Sequence, residues 1–304
     1  MGMRMILSAV LLCLAASPVA AQPASYPNKP IRLLIPYPTG GPADFFARQL
    51  AQKLTSSLGQ NVIVDSKSGA VGMVGTDAAA KSAPDGYTIL LSGLAPLAIG
   101  PYIAKTKLYD PLTDLQPIAL VAKSPQIVSV SPQVGVKSLA ELIAYARKNP
   151  GKLNYSSSGS GSLPHFSMEL LKREAGVDIV HVAYRGATPA MNDLLAGHIQ
   201  MSFGDLAAQL PHIQAGKLVP LAVASRERTP ALADVPTTAE AGFPGILAEN
   251  WYAILAPAGT PEPIVRKLHA AIAAALNDAG IKEAFARQNS VPGREGPAEL
   301  AAFM

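Results

Sequence analysis

The feature that most constrains the fold is an alternation of short apolar runs with helical repeats, begun at Ile31 and then resumed further along the chain. "IRLLIPY" reads as a strand. Phe46, Leu50, Leu54 and Leu58 then recur at four-residue spacing, which marks one face of a helix. Pro42 suits the first turn of that helix and Gly59 its end. "NVIVD" is a second strand, residues 74–82 a short helix and "YTILLSG" a third strand. Parallel strands need long crossover connections, and a β-α-β-α-β run supplies them. The pattern predicts a largely parallel sheet with helices on both faces.

A second series follows. In "QPIALVAKSPQIVSVSP" two strand-like pieces meet at Lys123, Ser124 and Pro125. "SLAELIAYARKNP" is an amphipathic helix, with Ser138 as N-cap and Glu141 three residues on, as in a capping box. "KLNYSSSG" is a strand entering a polar turn, and "PHFSMELLKREAG" a helix ended by Gly176. "DIVHVAY", "ATPAMNDLLAGH", "IQMSFGD" and "KLVPLAVAS" read as strand, helix, strand and strand. After Trp251 the chain returns to strand character in "YAILAPAGT", and a strong helical repeat covers residues 261–276. The chain thus leaves a first domain (residues 22–124), builds a second (125–226) and returns to the first (227–304). Two connecting strands between two α/β domains form a hinge topology.

The N-terminus, MGMRMILSAVLLCLAASPVAAQ, has one charge (Arg4), an apolar run too short to span a membrane, and small residues at Val19, Ala20 and Ala21. That is the layout of a secretory signal peptide over residues 1–21, cleaved after Ala21. The single cysteine, Cys13, lies within it, so the mature chain is expected to have no disulfide, no thiolate metal site and no cysteine nucleophile. The whole chain has 25 basic and 21 acidic side chains, and losing Arg4 leaves 24 against 21, a balance of +3. These charges are scattered, without the basic run that nucleic-acid contacts need. No later apolar segment reaches spanning length, so direct membrane insertion is not expected.

Four glycine-containing turns follow strand ends, two in each half. In "PTGGPAD" a strand stops at Gly40 and Gly41 before a helix, leaving backbone N–H groups free to meet an anion. No Gly-Lys-Ser/Thr follows, so it is not a nucleotide P-loop, and an ordinary turn is the alternative. Thr39 adds a hydroxyl. Asp44 sits in the first helical turn, where a carboxylate is favoured on its own account. "SGAVGMVG" repeats the logic with Gly69, Ala70 and Gly72, and turn geometry alone explains it equally well. "YSSSGSGSLPH" carries Ser156, Ser157, Ser158, Gly159 and Ser162, whose hydroxyls and amides can take both oxygens of a carboxylate. His165 is a ligand contact or a helix-start residue bonded to backbone. Asp205 accepts from a ligand donor or caps the helix that begins at Leu206. The fourth turn, Tyr184-Arg185-Gly186, ends another second-half strand, and Arg185 reads as a solvated surface residue rather than a partner for a distal carboxylate. His181, His198 and His212 fall on separate elements, so no zinc site is expected. A pocket of amides and hydroxyls, with no carboxylate pair, metal box or activated nucleophile, suits holding an anion better than transforming it.

"YPNKPIRLLIPYPTGGPADFFAR", "PDGYT", "GKLNYSSSGSGSLPH", "HVAYRGATPAMNDLLAGHIQMSF", "DVPTTAEAGFPG" and "APAGTP" stand in the order and spacing of one family. From about Tyr26 to its end the chain resembles the tripartite tricarboxylate transporter receptors, the Bug-type extracytoplasmic solute-binding proteins. The resemblance implies an α/β, two-domain type II periplasmic-binding-protein fold, with two parallel-rich sheets flanked by helices and joined by two hinge strands. It implies a monomeric, non-enzymatic periplasmic receptor without cofactor or metal. Its partners would be a small carboxylate and the subunits of a membrane permease. The loops at residues 37–41, 69–72 and 156–162 would hold one carboxylate, and Tyr37, His165, Tyr184 and Asp205 are carried over with them. Two readings from other classes remain: a sensory protein presenting its ligand to a membrane kinase, and a hydrolase using a serine of residues 156–162. The chain departs from the family at Thr39, often proline, and at Val71, often glycine. Relatives usually continue through a further helix beyond "PAELAAFM".

Overall fold

The computed structural model describes residues 26–304; the leader read at residues 1–21, with Cys13, lies outside them. The first series runs β1 (Ile31–Ile35), α1 (Pro42–Leu58), β2 (Val62–Ser66), a 3-10 turn (Ala70–Gly72), α2 (Met73–Ala80), β3 (Thr88–Gly93) and a short α3 (Gly100–Ile103). The second runs β4 (Leu115–Val130), α4 (Leu139–Lys148), β5 (Asn154–Ser157), α5 (Leu163–Ala175), β6 (Val180–Ala183), α6 (Ala187–Leu195), β7 (Met201–Asp205), α7 (Leu206–Gln214) and β8 (Val219–Val223). The chain closes with β9 (Glu249–Pro257), α8 (Glu262–Asn277), α9 (Ala279–Arg287), β10 (Val291–Pro292) and α10 (Pro297–Phe303).

Local signals place these elements. Pro42 opens α1 and Gly59 ends it at φ 70°, a left-handed cap that glycine adopts without strain. Ser138 Oγ accepts from Glu141 N–H at 3.2 Å, while Glu141 Oε2 accepts from Lys137 N–H at 2.7 Å, one residue ahead of the usual capping-box partner. Gly176 ends α5 at φ 62°.

The strands form an α/β mixed sheet in the order β2-β1-β3-β9-β4-β7-β5-β6, with β8 and β10 also on β4. Pairing among β1, β2 and β3, and among β5, β6 and β7, is parallel. β9 runs antiparallel to β3 and β4, and β4 antiparallel to β7. The two strand-like pieces expected on either side of residues 123–125 are one strand: Ser124 and Pro125 keep register with Asn250 and Glu249. β4 therefore belongs to both halves of the sheet. Up to Pro125 it pairs with β9; from Gln126 on it pairs with β7 and β8.

Two cores lie on either side of that crossing. One gathers Leu33, Phe46, Leu50, Leu54, Ile254 and Phe285. The other gathers Val128, Tyr155, Met168, Leu171 and Phe203. Ile246 and Ala248, from the stretch leading into β9, pack in the second core rather than the first. Burying each apolar side chain of the α1 stripe stabilises by about 1.5–3 kcal/mol. Phe46 packs edge-on to Phe285 at 4.7 Å and against Tyr252 at 5.2 Å. Phe46→Ala should cost about 3–5 kcal/mol in urea unfolding. Ile63→Ala, at an exposed position of β2, should stay within about 0.5 kcal/mol.

Candidate functional site

A cavity of about 650 Å³ opens where strand ends from both halves of the sheet come together. From the first half, the β1 end supplies Pro36, Tyr37 and Pro38, and the start of α1 supplies Gly41, Pro42 and Ala43. The turn before α2 adds residues 68–72. From the second half come residues 156–160 and the start of α5, residues 183–188 and the start of α6, and Gly204, Asp205 and the start of α7. The β9 start adds Asn250 and Tyr252. Helices α1, α2, α5, α6 and α7 thus bring their N-terminal ends to one space. Their unpaired N–H groups and dipoles favour negative charge there.

Of the residues read from the sequence, Tyr37, Gly41, Gly69, Ala70, Gly72, Ser156, Ser157, Ser158, Gly159, Ser162, Tyr184 and Asp205 line this cavity. Thr39, Gly40, Asp44 and His165 do not, and each has a physical reason. Asp44 accepts from Gly40 N–H at 3.0 Å and pairs with Arg48 at 2.9 Å, which holds its carboxyl below the usual range against the opposing effect of burial. The chain's own acid thus takes the Gly40 amide. Thr39 is exposed, and its carbonyl accepts from Thr188 Oγ1 at 3.3 Å. His165 Nδ1 accepts from Gly161 N–H at 3.2 Å, the backbone-bonded alternative weighed for it.

Tyr184 reaches the cavity wall, but its hydroxyl donates to Asp193 at 2.6 Å; burial and that carboxylate push it up to about 12. Tyr37 turns its hydroxyl inward to accept from Gly93 N–H at 3.1 Å. Ser162 caps α5, accepting from His165 N–H at 3.4 Å. Ser157 Oγ stands 2.6 Å from His181 Nε2 and 3.2 Å from Gly159 N.

Asp205 occupies the N-cap position of α7 without capping it. Its carboxylate turns to the crossing strands instead. It accepts from Tyr252 OH at 2.8 Å, from Asn250 Nδ2 at 3.1 Å and from Gln126 Nε2. Burial raises its pKa and these three donors oppose the rise. The sequence reading missed these partners, and with them Arg185, Thr188 and Gln209 on the wall. The available signal was Asn250-x-Tyr252, whose period of two puts both side chains on one face of β9. Arg185 is the one cationic side chain among the described lining residues.

The two rims touch. A Cβ built at Gly186 would stand 2.7 Å from Pro38 Cγ, and one at Gly159 would stand 2.8 Å from Val71 Cγ2. Val71 itself holds φ 55° and ψ 34°, a left-handed conformation that is strained for a β-branched residue. Among the described residues no group of three or more His, Cys, Asp or Glu could hold a metal ion. No helix among them is long and apolar enough to cross a membrane.

Because the folded state favours protonated Asp205, that preference stabilises most below the ordinary aspartate pKa of about 3.9 and is lost as pH rises through the raised folded value. Urea unfolding from about pH 4 to about pH 8 should show wild-type stability falling relative to Asp205→Asn across that window.

The model for the tripartite tricarboxylate transporter family receptor matches residues 46–296. Protein BugT of Bordetella pertussis (strain Tohama I) is 38% identical over 307 residues, spanning 100% of this chain and 94% of that one. A solved structure described as a periplasmic transporter superposes with a TM-score of 0.89 at 40% identity, covering 91% of this chain and 93% of its own. The structure of Rhodopseudomonas palustris Rpa4515 with adipate also gives 0.89, at 35% identity, with the same coverage.

Proposed function

The chain belongs to the tripartite tricarboxylate transporter receptor family, and from that premise we propose that it is a periplasmic receptor which captures a small carboxylate between two lobes and delivers it to a membrane permease of the tripartite type. The observation that carries the reading is the convergence of five helix N-termini, drawn from both halves of the sheet, on one cavity. A carboxylate held there meets oriented amide donors and serine hydroxyls, and closing the rims would exclude water and strengthen each bond. The adipate bound by Rpa4515 is a ligand of this kind. The proposed lobes are residues 26–124 with 249–304, and residues 125–248, since Ile246 and Ala248 pack in the second core. The leader at residues 1–21 would direct the chain to the periplasm, where it would act as a monomer without chemistry of its own.

One observation favours a serine hydrolase, the bond between Ser157 and His181. No carboxylate orients His181 from its other nitrogen among the described residues, whereas a serine triad requires one. Labelling of Ser157 by a serine-reactive phosphonate would revive that reading.

Titration calorimetry of the mature chain with adipate, malate, succinate and citrate should give saturable binding to at least one, with the ligand recovered unchanged. Gly186→Ala, which sets a methyl against Pro38, should weaken that binding at least tenfold by keeping the rims apart. Turnover of the ligand, or equal binding of the uncharged diamides, would remove the receptor reading.

A further inference from the structure

Ser157 ends β5 on the cavity floor, and its hydroxyl has a single proton to give. Parallel pairing of β5 with β6 sets Tyr155 beside His181 and Ser157 beside Ala183. Period two puts Tyr155 and Ser157 on one face, so His181 lies diagonally across from Ser157. Its Nε2 stands 2.6 Å from Ser157 Oγ. The imidazole is held in place by stacking against Tyr155 at 4.8 Å and His165 at 4.3 Å. Ser157 Oγ also lies 3.2 Å from Gly159 N, from which it accepts.

The state of His181 decides where the serine proton points. When Nε2 carries a lone pair, Ser157 donates to it and shows the cavity only oxygen lone pairs. When Nε2 carries a proton, the imidazolium donates to Oγ, and the Ser157 proton is released to the Gly159 carbonyl, 3.2 Å away, or to a carboxylate oxygen, which as a charged acceptor is the stronger of the two. We propose that His181 is a positioning residue that sets the direction of the Ser157 hydroxyl, so that capture of a carboxylate is coupled to uptake of one proton by His181. The inference rests on the receptor reading of this cavity.

The groups facing His181 are few. From β5 comes Tyr155, whose hydroxyl donates to Glu169 at 2.7 Å. From α5 come His165, Glu169 and Lys172, the last two paired at 2.7 Å. Burial, then the neighbouring His165, lowers the His181 pKa. A bound carboxylate supplies the missing negative charge and raises it. A pKa raised on binding gives affinity that is fully present below the free-state value and lost as pH rises through the bound-state value. Between those values affinity should change by up to about tenfold per pH unit.

The test is calorimetry of the mature wild-type chain with adipate, malate, succinate and citrate from about pH 5.5 to about pH 8.5, in buffers of different ionisation enthalpy. Wild type should bind more tightly as pH falls through this window and take up close to one proton per ligand. His181→Phe keeps a ring for stacking and should bind with a flat pH profile; Ser157→Ala should bind more weakly, with a profile shallower than that of wild type because only the charge coupling remains. Histidine-ring NMR of the wild type needs no variant: among the five histidines, the His181 signal should titrate at higher pH when ligand is bound. Binding without proton uptake, a slope that survives His181→Phe, or a His181 titration unmoved by ligand would overturn the inference and leave the receptor standing. No binding of any of the four acids by wild type would overturn both.

Discussion

The structure depends on β4 being one continuous strand. Had the chain turned at Pro125, the two cores would be tied only by loops, and their facing ends would have no fixed relation. Instead the backbone passes from one sheet half to the other without leaving ladder register. Two further segments are bound at the crossing, where Gln126 N–H donates to the Ala248 carbonyl at 2.9 Å, Ala224 N–H to the Gln126 carbonyl at 2.8 Å and Ala248 N–H to the Ala224 carbonyl at 3.0 Å. A joint of a few hydrogen-bonded extended segments is the form a hinge between two lobes takes.

Asp205 ties the cavity to that joint. Its carboxylate is bonded by Gln126 from β4 and by Asn250 and Tyr252 from β9, so three strands meet on one side chain. An isolated buried carboxylate is costly, and three donors offset much of that cost. The arrangement also changes what the cavity offers. Asp205 is already supplied with donors from the protein, so its lone pairs are engaged before any ligand arrives. The helix N-termini around the cavity favour an anion. Arg185 is the one cationic side chain among its described lining residues.

Most of the fold was legible because its signals are local. The four-residue stripe on α1, the Ser138 cap and the glycine stops at Gly59 and Gly176 each act within a turn or two. The loops of the site were legible for the same reason, since a glycine pair between strand and helix constrains its own backbone. The side chains were not. Asp44 and Asp205 both stand at a helix start beyond the body of a strand, and only the residue four places on, Arg48 against Gln209, separates them locally. Asp44 is engaged by Arg48, four residues away, while Asp205 is engaged by Gln126 and Asn250, 79 and 45 residues away. Long-range partners of this kind depend on register between strands, which a single chain read in order does not display. Tyr184 lines the cavity, yet its hydroxyl is held by Asp193 on α6.

Val71 shows how a departure read from the sequence acquires a physical meaning. Glycine there would hold φ 55° without strain, and valine holds it at a cost of order 1–3 kcal/mol. Such a conformation persists only where the surroundings hold it in place, and here its Cγ2 lies against Gly159 on the opposite rim. That contact exists only while the rims are together. The strain is then carried by whichever state keeps Val71 left-handed. If the loop relaxes when the rims part, the same residue that tightens the closed cavity also drives it open. A glycine in its place would make neither contribution, so Val71 bears on how firmly the rims stay together rather than on what the cavity holds.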